Sequence, residues 1–318
     1  METLTSPQAM QAWTDAERRA GRRVALVPTM GALHDGHLTL VRAALRHGDR
    51  VVVSIFVNPM QFNRRDDFDR YPRPIDDDLA RCAEAGVDAV YAPNAAAMYP
   101  EGFQSAVDVA KLTEPLCGAS RPGHFRGVTT VVTKLFHAVR PDAAVFGEKD
   151  FQQLAVIRRM TADLDFGIEI VGVPTVREAD GLAMSSRNAR LSAASRVAAR
   201  CVPTALDAAR LAVADGAREI AEVHAALAQV LADEPRAKLE YAVICDPESL
   251  DPVGRIDGPV QLAVAVWVDG VRLIDNARID PGEVDPPRLV PSAEGRSRGR
   301  GAASAPAETT PLLAAGKR

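Results

Sequence analysis

Two histidines three residues apart, in the segment VPTMGALHDGH at 27–37, are the side chains of this sequence best suited to chemistry. An apolar run ends at a turn containing Gly31 and Gly36, and His34 and His37 stand where a helix begins. Glycine permits close backbone approach, and a helix start offers unpaired N–H groups and the positive end of a dipole. His34 and His37 can then project together toward an anion. Such a site suits a triphosphate whose charge shifts onto a leaving group during reaction. A second cluster, FGEKD at 146–150, closes another apolar run. Its Lys149 is one of five lysines in a chain that otherwise uses arginine, and it offers a compact charge to phosphate. The third cluster, MSSRN at 184–188, places two hydroxyls and an arginine in a flexible loop that can fold over a polyphosphate.

These clusters act together only if the elements between them bring them to one edge. Strand-like runs at 23–29, 51–57, 88–92, 143–146 and 168–173 alternate with helical segments at 37–47, 76–85, 127–139 and 151–164. The run VVVSIFV is what a strand buried on both faces requires. Five strands alternating with helices predict an α/β fold, a doubly wound Rossmann-like parallel sheet. Ligands of open α/β sheets bind at the carboxyl ends of the strands, where FGEKD lies. After Asn188 the pattern changes to two alanine-rich amphipathic helices, at 192–215 and 217–232. Strands at 239–245, 261–268 and 271–279 follow, the last two joined by Asp269-Gly270, a two-residue hairpin turn. The predicted organisation is a Rossmann-like domain over 1–187 and a smaller C-terminal α+β domain over 188–285. A tail over 286–318, rich in Pro, Gly, Ser, Ala and Arg, is expected to be disordered.

Composition narrows the function. The chain has 318 residues, 47% hydrophobic and 25% charged, enough apolar material for two cores. Its net charge is −4, but residues 286–318 carry +4, leaving −8 for residues 1–285. A body that acidic lacks the basic footprint of a nucleic-acid binder. Apolar runs are far shorter than the ~18 residues of a membrane span, and residues 1–15 lack the pattern of a secretory signal. Cys82, Cys117, Cys201 and Cys245 are widely spaced, with no C-x-x-C pair, and read as reduced thiols of a cytoplasmic protein.

Taken together, the three clusters resemble the signature elements of the HxGH nucleotidylyltransferase superfamily, which includes class I aminoacyl-tRNA synthetases. His34 and His37 match the first element, and residues 184–187 stand where the mobile second loop would be. Within that superfamily the chain closely resembles the pantothenate synthetases (pantoate–β-alanine ligases). The resemblance is carried by PTMGALHDGH, SIFVNPMQF (54–62), YPR (71–73), RPGHFRGV (121–128), FGEKDFQQL (146–154), the stretch from VGVPTVRE to MSSRN (171–188), and LIDN (273–276). These blocks run in family order across about residues 24–279.

What the resemblance implies is ATP-dependent condensation of pantoate with β-alanine through an enzyme-bound pantoyl adenylate, with release of AMP and pyrophosphate. Met30, Gly31, Ala32, Leu33, His34, Asp35, Gly36 and His37 would line the ATP site, with both imidazoles on the phosphates. Lys149 would bind phosphate and stabilise the transition state. Gly147, Glu148 and Asp150 would sit beside the nucleotide, Val176 would meet adenine through its backbone, and Met184, Ser185, Ser186 and Arg187 would close on the phosphates. Gln61 and Gln153 resemble the glutamines that hold pantoate, Gln61 also bordering β-alanine; neutral amides can serve both carboxylate and hydroxyl. Mg²⁺ is expected on the phosphates without a protein-only metal site. The family forms homodimers. The chain departs from it at Asn63-Arg64-Arg65, where many members have a smaller glycine-containing loop, and in residues 286–318. A coenzyme-biosynthesis nucleotidylyltransferase acting on a phosphate acceptor is the alternative. It would share His34 and His37 but leave Gln61, Gln153 and the hairpin domain without a purpose.

Overall fold

The computed structural model describes residues 1–282; the expected tail over 286–318 lies outside the described residues. Short apolar runs assemble as parallel strands β1 (Glu2–Leu4), β2 (Val24–Thr29), β3 (Arg50–Ile55), β4 (Ala89–Tyr91), β5 (Ala143–Gly147) and β6 (Glu169–Val173). They form one sheet in the order β1-β4-β3-β2-β5-β6. Side chains alternate across it as the period-2 pleat demands. On β2, Val24 and Leu26 join a core that includes residues of the helices Pro7–Arg19, His124–Val139 and Phe151–Asp163. Ala25 and Val27 join the opposite core, which includes residues of Asp35–Ala44 and Ile75–Glu84. Helices on both faces make the sheet doubly wound. Among the described residues its strands number six, not the expected five. The additional β1 is only three residues long, too short for periodicity, and pairs with β4 at the sheet edge.

From β2 the chain proceeds outward through β3 and β4, then crosses back to place β5 on the other side of β2. The reversal leaves a crevice between the carboxyl ends of β2 and β5, the usual ligand position in such sheets. The 27–37 segment follows β2 and FGEKD ends β5, so both open onto this crevice.

A second, antiparallel sheet contains β7 (Ala237–Cys245), β8 (Val260–Val268) and β9 (Val271–Ile279). Asp269 (φ 45°) and Gly270 (φ 79°) both take the left-handed conformation that a two-residue hairpin needs. The sheet shares a core with the helices Ala193–Ala199, Cys201–Ala214 and Ile220–Ala232. The helix expected over 192–215 is therefore two, meeting at Arg200.

Candidate active site

The turn after β2 is fixed by a carboxylate from the helix Ile75–Glu84. Gly31 (φ 79°) could not carry a side chain, because a Cβ would lie 2.8 Å from Asp78 Oδ2. Buried Asp78 accepts the N–H groups of Ala32 (2.8 Å) and Leu33 (2.7 Å). Those two donors are thereby engaged, and Leu33 packs into the core. His34 then takes extended geometry (φ −137°, ψ 175°) as N-cap of Asp35–Ala44. At Gly36 a Cβ would come within 2.9 Å of the His34 ring, so glycine lets that ring lie along the helix start.

The two imidazoles lie 4.0 Å apart between ring centroids. His37 Nδ1 accepts the His34 backbone N–H at 3.3 Å, which leaves the proton of a neutral ring on Nε2. Burial, then His34 and Lys149, push the His37 pKa down to about 3. Burial and Lys149 also lower His34, whose Nδ1 is buried without a hydrogen-bond partner among the described residues. Both rings are therefore neutral near pH 7.

Lys149 lies in the single turn Glu148–Asp150 that links β5 to Phe151–Asp163. Its ammonium is 3.8 Å from Asp150 Oδ2. A Cβ at Gly147 would meet nothing within 4 Å, so the wall beside Lys149 is open.

The MSSRN segment is braced by its surroundings, contrary to the free loop its composition suggests. Arg177 and Ala183 pair as an antiparallel bridge, and Met184 N–H donates to Val176 O at 2.9 Å. Ser185 Oγ accepts Arg187 N–H at 3.2 Å, capping the short turn Ser186–Arg190. Ser186 Oγ is 3.3 Å from Tyr71 OH, and Arg187 donates to Asp67 Oδ2 at 3.1 Å. Burial opposes ionisation of Asp67, but Arg187 and Arg190 outweigh it and hold the carboxyl below its ordinary range.

Gln61 lies on the turn Pro59–Gln61 after β3. Helix His124–Val139 lies directly on that turn because residue 127 is glycine: a Cβ there would be 2.4 Å from Met60 O. Asn58 Nδ2 donates to Gly127 O and to Gln61 Oε1, both at 3.0 Å. Gln61 O accepts from Arg121 (3.0 Å) and from His124 Nδ1 (2.8 Å). Burial, reinforced by Arg121, pushes the His124 pKa down to about 3, so this ring too is neutral. Sequence reasoning does not single out Asn58, Tyr71 or Arg121 as site residues, although all fall inside the quoted motif blocks; it places His124, with Arg126, only near the site or a dimer contact and outside the catalytic set. A polar residue's role emerges only from what faces it across the fold.

Two cavities, of about 230 and 340 Å³, adjoin and share Arg121, His124, Lys149, Asp150, Gln153, Ser185 and Arg187. The first is also lined by Met30, His34, Gly36, His37, Gln61, Gly147, Val176, Met184 and Ser186. The second extends to Trp267 and Asn276 of the antiparallel sheet. Gly31, Ala32, Leu33, Asp35 and Glu148, expected at the nucleotide, line neither. Among the described residues no three His, Cys, Asp or Glu side chains converge as a metal cage. No helix among them is long and apolar enough to cross a membrane.

The geometry can be set beside known proteins. The family model for pantoate-beta-alanine ligase matches residues 2–278. A pantothenate synthetase of Heliobacterium modesticaldum is 52% identical over 280 residues, spanning 88% of this chain and 100% of the relative. One from Rhizorhabdus wittichii is 54% identical over 264 residues, 83% of this chain and 93% of the relative. The crystal structure of pantothenate synthetase from Thermus thermophilus superposes with a TM-score of 0.83 at 46% identity, covering 87% of this chain and 99% of that one. A pantoate-beta-alanine ligase from Francisella tularensis, crystallised with beta-gamma ATP and beta-alanine, superposes with a TM-score of 0.73 at 30% identity, covering 87% and 97%. The agreement spans both sheets and every motif block, and this chain belongs to the pantoate–β-alanine ligase family.

Proposed function

We propose that this chain joins pantoate to β-alanine in two steps, through a pantoyl adenylate kept in the crevice between β2 and β5. The carrying observation is that one cavity wall collects His34, His37, Lys149 and Arg187 together with Gln61 and Gln153. That wall pairs donors for a polyphosphate with neutral amides for a hydroxy acid. The chemical difficulty is that a carboxylate is a poor electrophile toward an amine. In the first step a pantoate carboxylate oxygen attacks the α-phosphorus of ATP, the bond to the bridging oxygen breaks, and pyrophosphate leaves. In the second, the neutral amine of β-alanine attacks the acyl carbon, the bond to AMP breaks, and the amine gives up a proton. No protein nucleophile is required; positioning and charge stabilisation carry the rate. Support for the substrates comes from the family and from the Francisella relative crystallised with beta-gamma ATP and beta-alanine.

Within this reading His37 acts as a hydrogen-bond donor from Nε2 to the departing phosphates. Burial keeps the ring neutral in the ligand-free protein, and a neutral ring contributes as a hydrogen-bond donor. His34, on the same cavity wall, presents its ring to the same anion. Lys149 neutralises charge on the phosphates, and Arg187 exchanges Asp67 for them. Gln61 is held by Asn58, so its amide is oriented before pantoate arrives. Asp150, the carboxylate beside Lys149 on the cavity wall, is the protein oxygen suited to a Mg²⁺ carried on the nucleotide, which would neutralise charge on pyrophosphate. Residues 188–282 of the expected C-terminal domain serve as the lid on the β-alanine side, and the active species is a homodimer.

The reading is tested by exchange of labelled pyrophosphate into ATP. Exchange should require pantoate and proceed without β-alanine, and AMP should appear on adding β-alanine. Exchange dependent on a phosphate acceptor would instead indicate a coenzyme-biosynthesis nucleotidylyltransferase.

A further inference from the structure

Lys149 lacks a firm side-chain anchor: among the described residues its only ion-pair partner is Asp150, at 3.8 Å and half-exposed. The backbone of the Glu148–Asp150 turn therefore sets the point from which the Lys149 side chain reaches into the site. That turn is gripped from outside the parallel sheet. Asn276 on β9 donates through Nδ2 to Glu148 O and to Lys149 O, both at 2.9 Å. The other end of the amide is fixed as well, because Gln261 Nε2 on β8 donates to Asn276 Oδ1 at 2.7 Å. Gln261 is itself buried. Two carbonyl acceptors on one side and an amide donor on the other leave a single orientation for the Asn276 side chain.

The preceding residue reaches the other wall of the site. Asp275, 3% exposed, pairs with both terminal nitrogens of Arg177, at 2.7 and 3.0 Å. Arg177 also donates to Gly181 O and forms the bridge with Ala183 from which Met184 and Ser185 continue. Consecutive side chains of β9, pointing to opposite faces, thus connect to the Lys149 turn and to the base of the Ser185–Arg187 segment.

We propose that Asn276 is a positioning residue for Lys149, holding its turn so that the ammonium meets the phosphates only in the geometry of adenylate formation. This rests on the assignment of Lys149 to the phosphates. Neither Asn276 nor Gln261 need touch a substrate to act in this way. Losing both hydrogen bonds lets the turn relax, and a displacement of about 1 Å at a charge-stabilising group costs up to ~100-fold in rate.

The test is single-turnover adenylate formation in Asn276→Ala, Lys149→Ala and the double variant, with ATP affinity and thermal unfolding measured alongside. Asn276→Ala should slow adenylate formation about ten- to a hundredfold while ATP affinity changes less than about threefold. In the Lys149→Ala background the same change should cost less than about twofold, since the cation being positioned is gone. Gln261→Glu, which leaves Asn276 in place but removes its donor, should give a smaller loss in the same direction and stands in if Asn276→Ala fails to fold. An equal loss from Asn276→Ala in both backgrounds, or a fall in thermal stability with adenylate formation unchanged, overturns the proposal. If Lys149→Ala alone forms adenylate at the parent rate, the assignment of Lys149 to the phosphates is what has failed.

Discussion

Burial decides what His37 can do. With Nδ1 occupied by the His34 N–H and its pKa near 3, the ring is a fixed donor through Nε2. The same burial makes stability depend on pH. Unfolded histidine titrates near 6.5, while folded His37 and His124 titrate near 3. Between these values the unfolded chain binds more protons, so stability is full above about pH 6.5 and falls as pH drops toward 3. At pH 5 each ring accounts for up to roughly 2 kcal/mol of that loss. Urea unfolding of the ligand-free protein at pH 7 and pH 5 should show it, with a shallower dependence in His37→Gln; equal dependences would contradict the burial argument. At the same scale, Gln153→Ala should weaken pantoate binding about tenfold with a nucleotide analogue inert at the α-phosphorus saturating, as expected for a hydrogen bond to a charged group. Isothermal titration reads this directly, and unchanged affinity would remove Gln153 from the pantoate contact. His34, His37, Lys149 and the two glutamines are legible in the sequence because their spacing and surrounding blocks are distinctive. Asn58 and Arg121 are not, and His124 only as a residue near the site, because their meaning lies in contacts with Gln61 across 3 to 63 positions of sequence.

At the scale of elements, Gly127 decides how close a helix lies to the pantoate turn. In Gly127→Ala the new methyl would meet Met60 O, forcing the Pro59–Gln61 turn away. The expected result is a loss of about 1–3 kcal/mol in stability, typical of overpacking. Weaker pantoate binding should accompany it; unchanged stability and affinity would mean the helix yields without moving the turn. Helices and strands with a long apolar stripe, such as Phe151–Asp163 and β3, are readable from periodicity. β1 offers three residues and only one inward apolar side chain, Leu4, so nothing distinguishes it from a terminal loop. Helix Pro7–Arg19 escapes a reading by periodicity although Ser6 and Pro7 mark its start; its inward face is narrow, with Met10 and Thr14 alone fully buried. The MSSRN segment reads as a loop by composition, and its bracing comes from Asp67, Tyr71 and Glu178, which belong to other segments.

For the molecule as a whole, strand order does most to place the chemistry. The reversal between β2 and β5 sets two segments more than a hundred residues apart side by side, and on β9 Asn276 ties the second of them, and Asp275 the stretch at Arg177, to the antiparallel sheet. The family match ends at residue 278, and the net charge of residues 286–318 is opposite to that of the rest. Removing residues 286–318 should therefore leave kcat/KM for each substrate within about twofold, as expected of residues beyond the family match. A larger loss in steady-state assays would give those residues a part in catalysis.

The most direct measurement follows an oxygen atom. Pantoate labelled with ¹⁸O in its carboxylate is turned over with ATP and β-alanine, and the products are analysed by mass spectrometry. If AMP is placed on the acid, one labelled oxygen passes from the carboxylate to the phosphate of AMP and the other stays in the amide. Label in pyrophosphate or inorganic phosphate, with none in AMP, would contradict attack at the α-phosphorus and the account of this crevice built upon it.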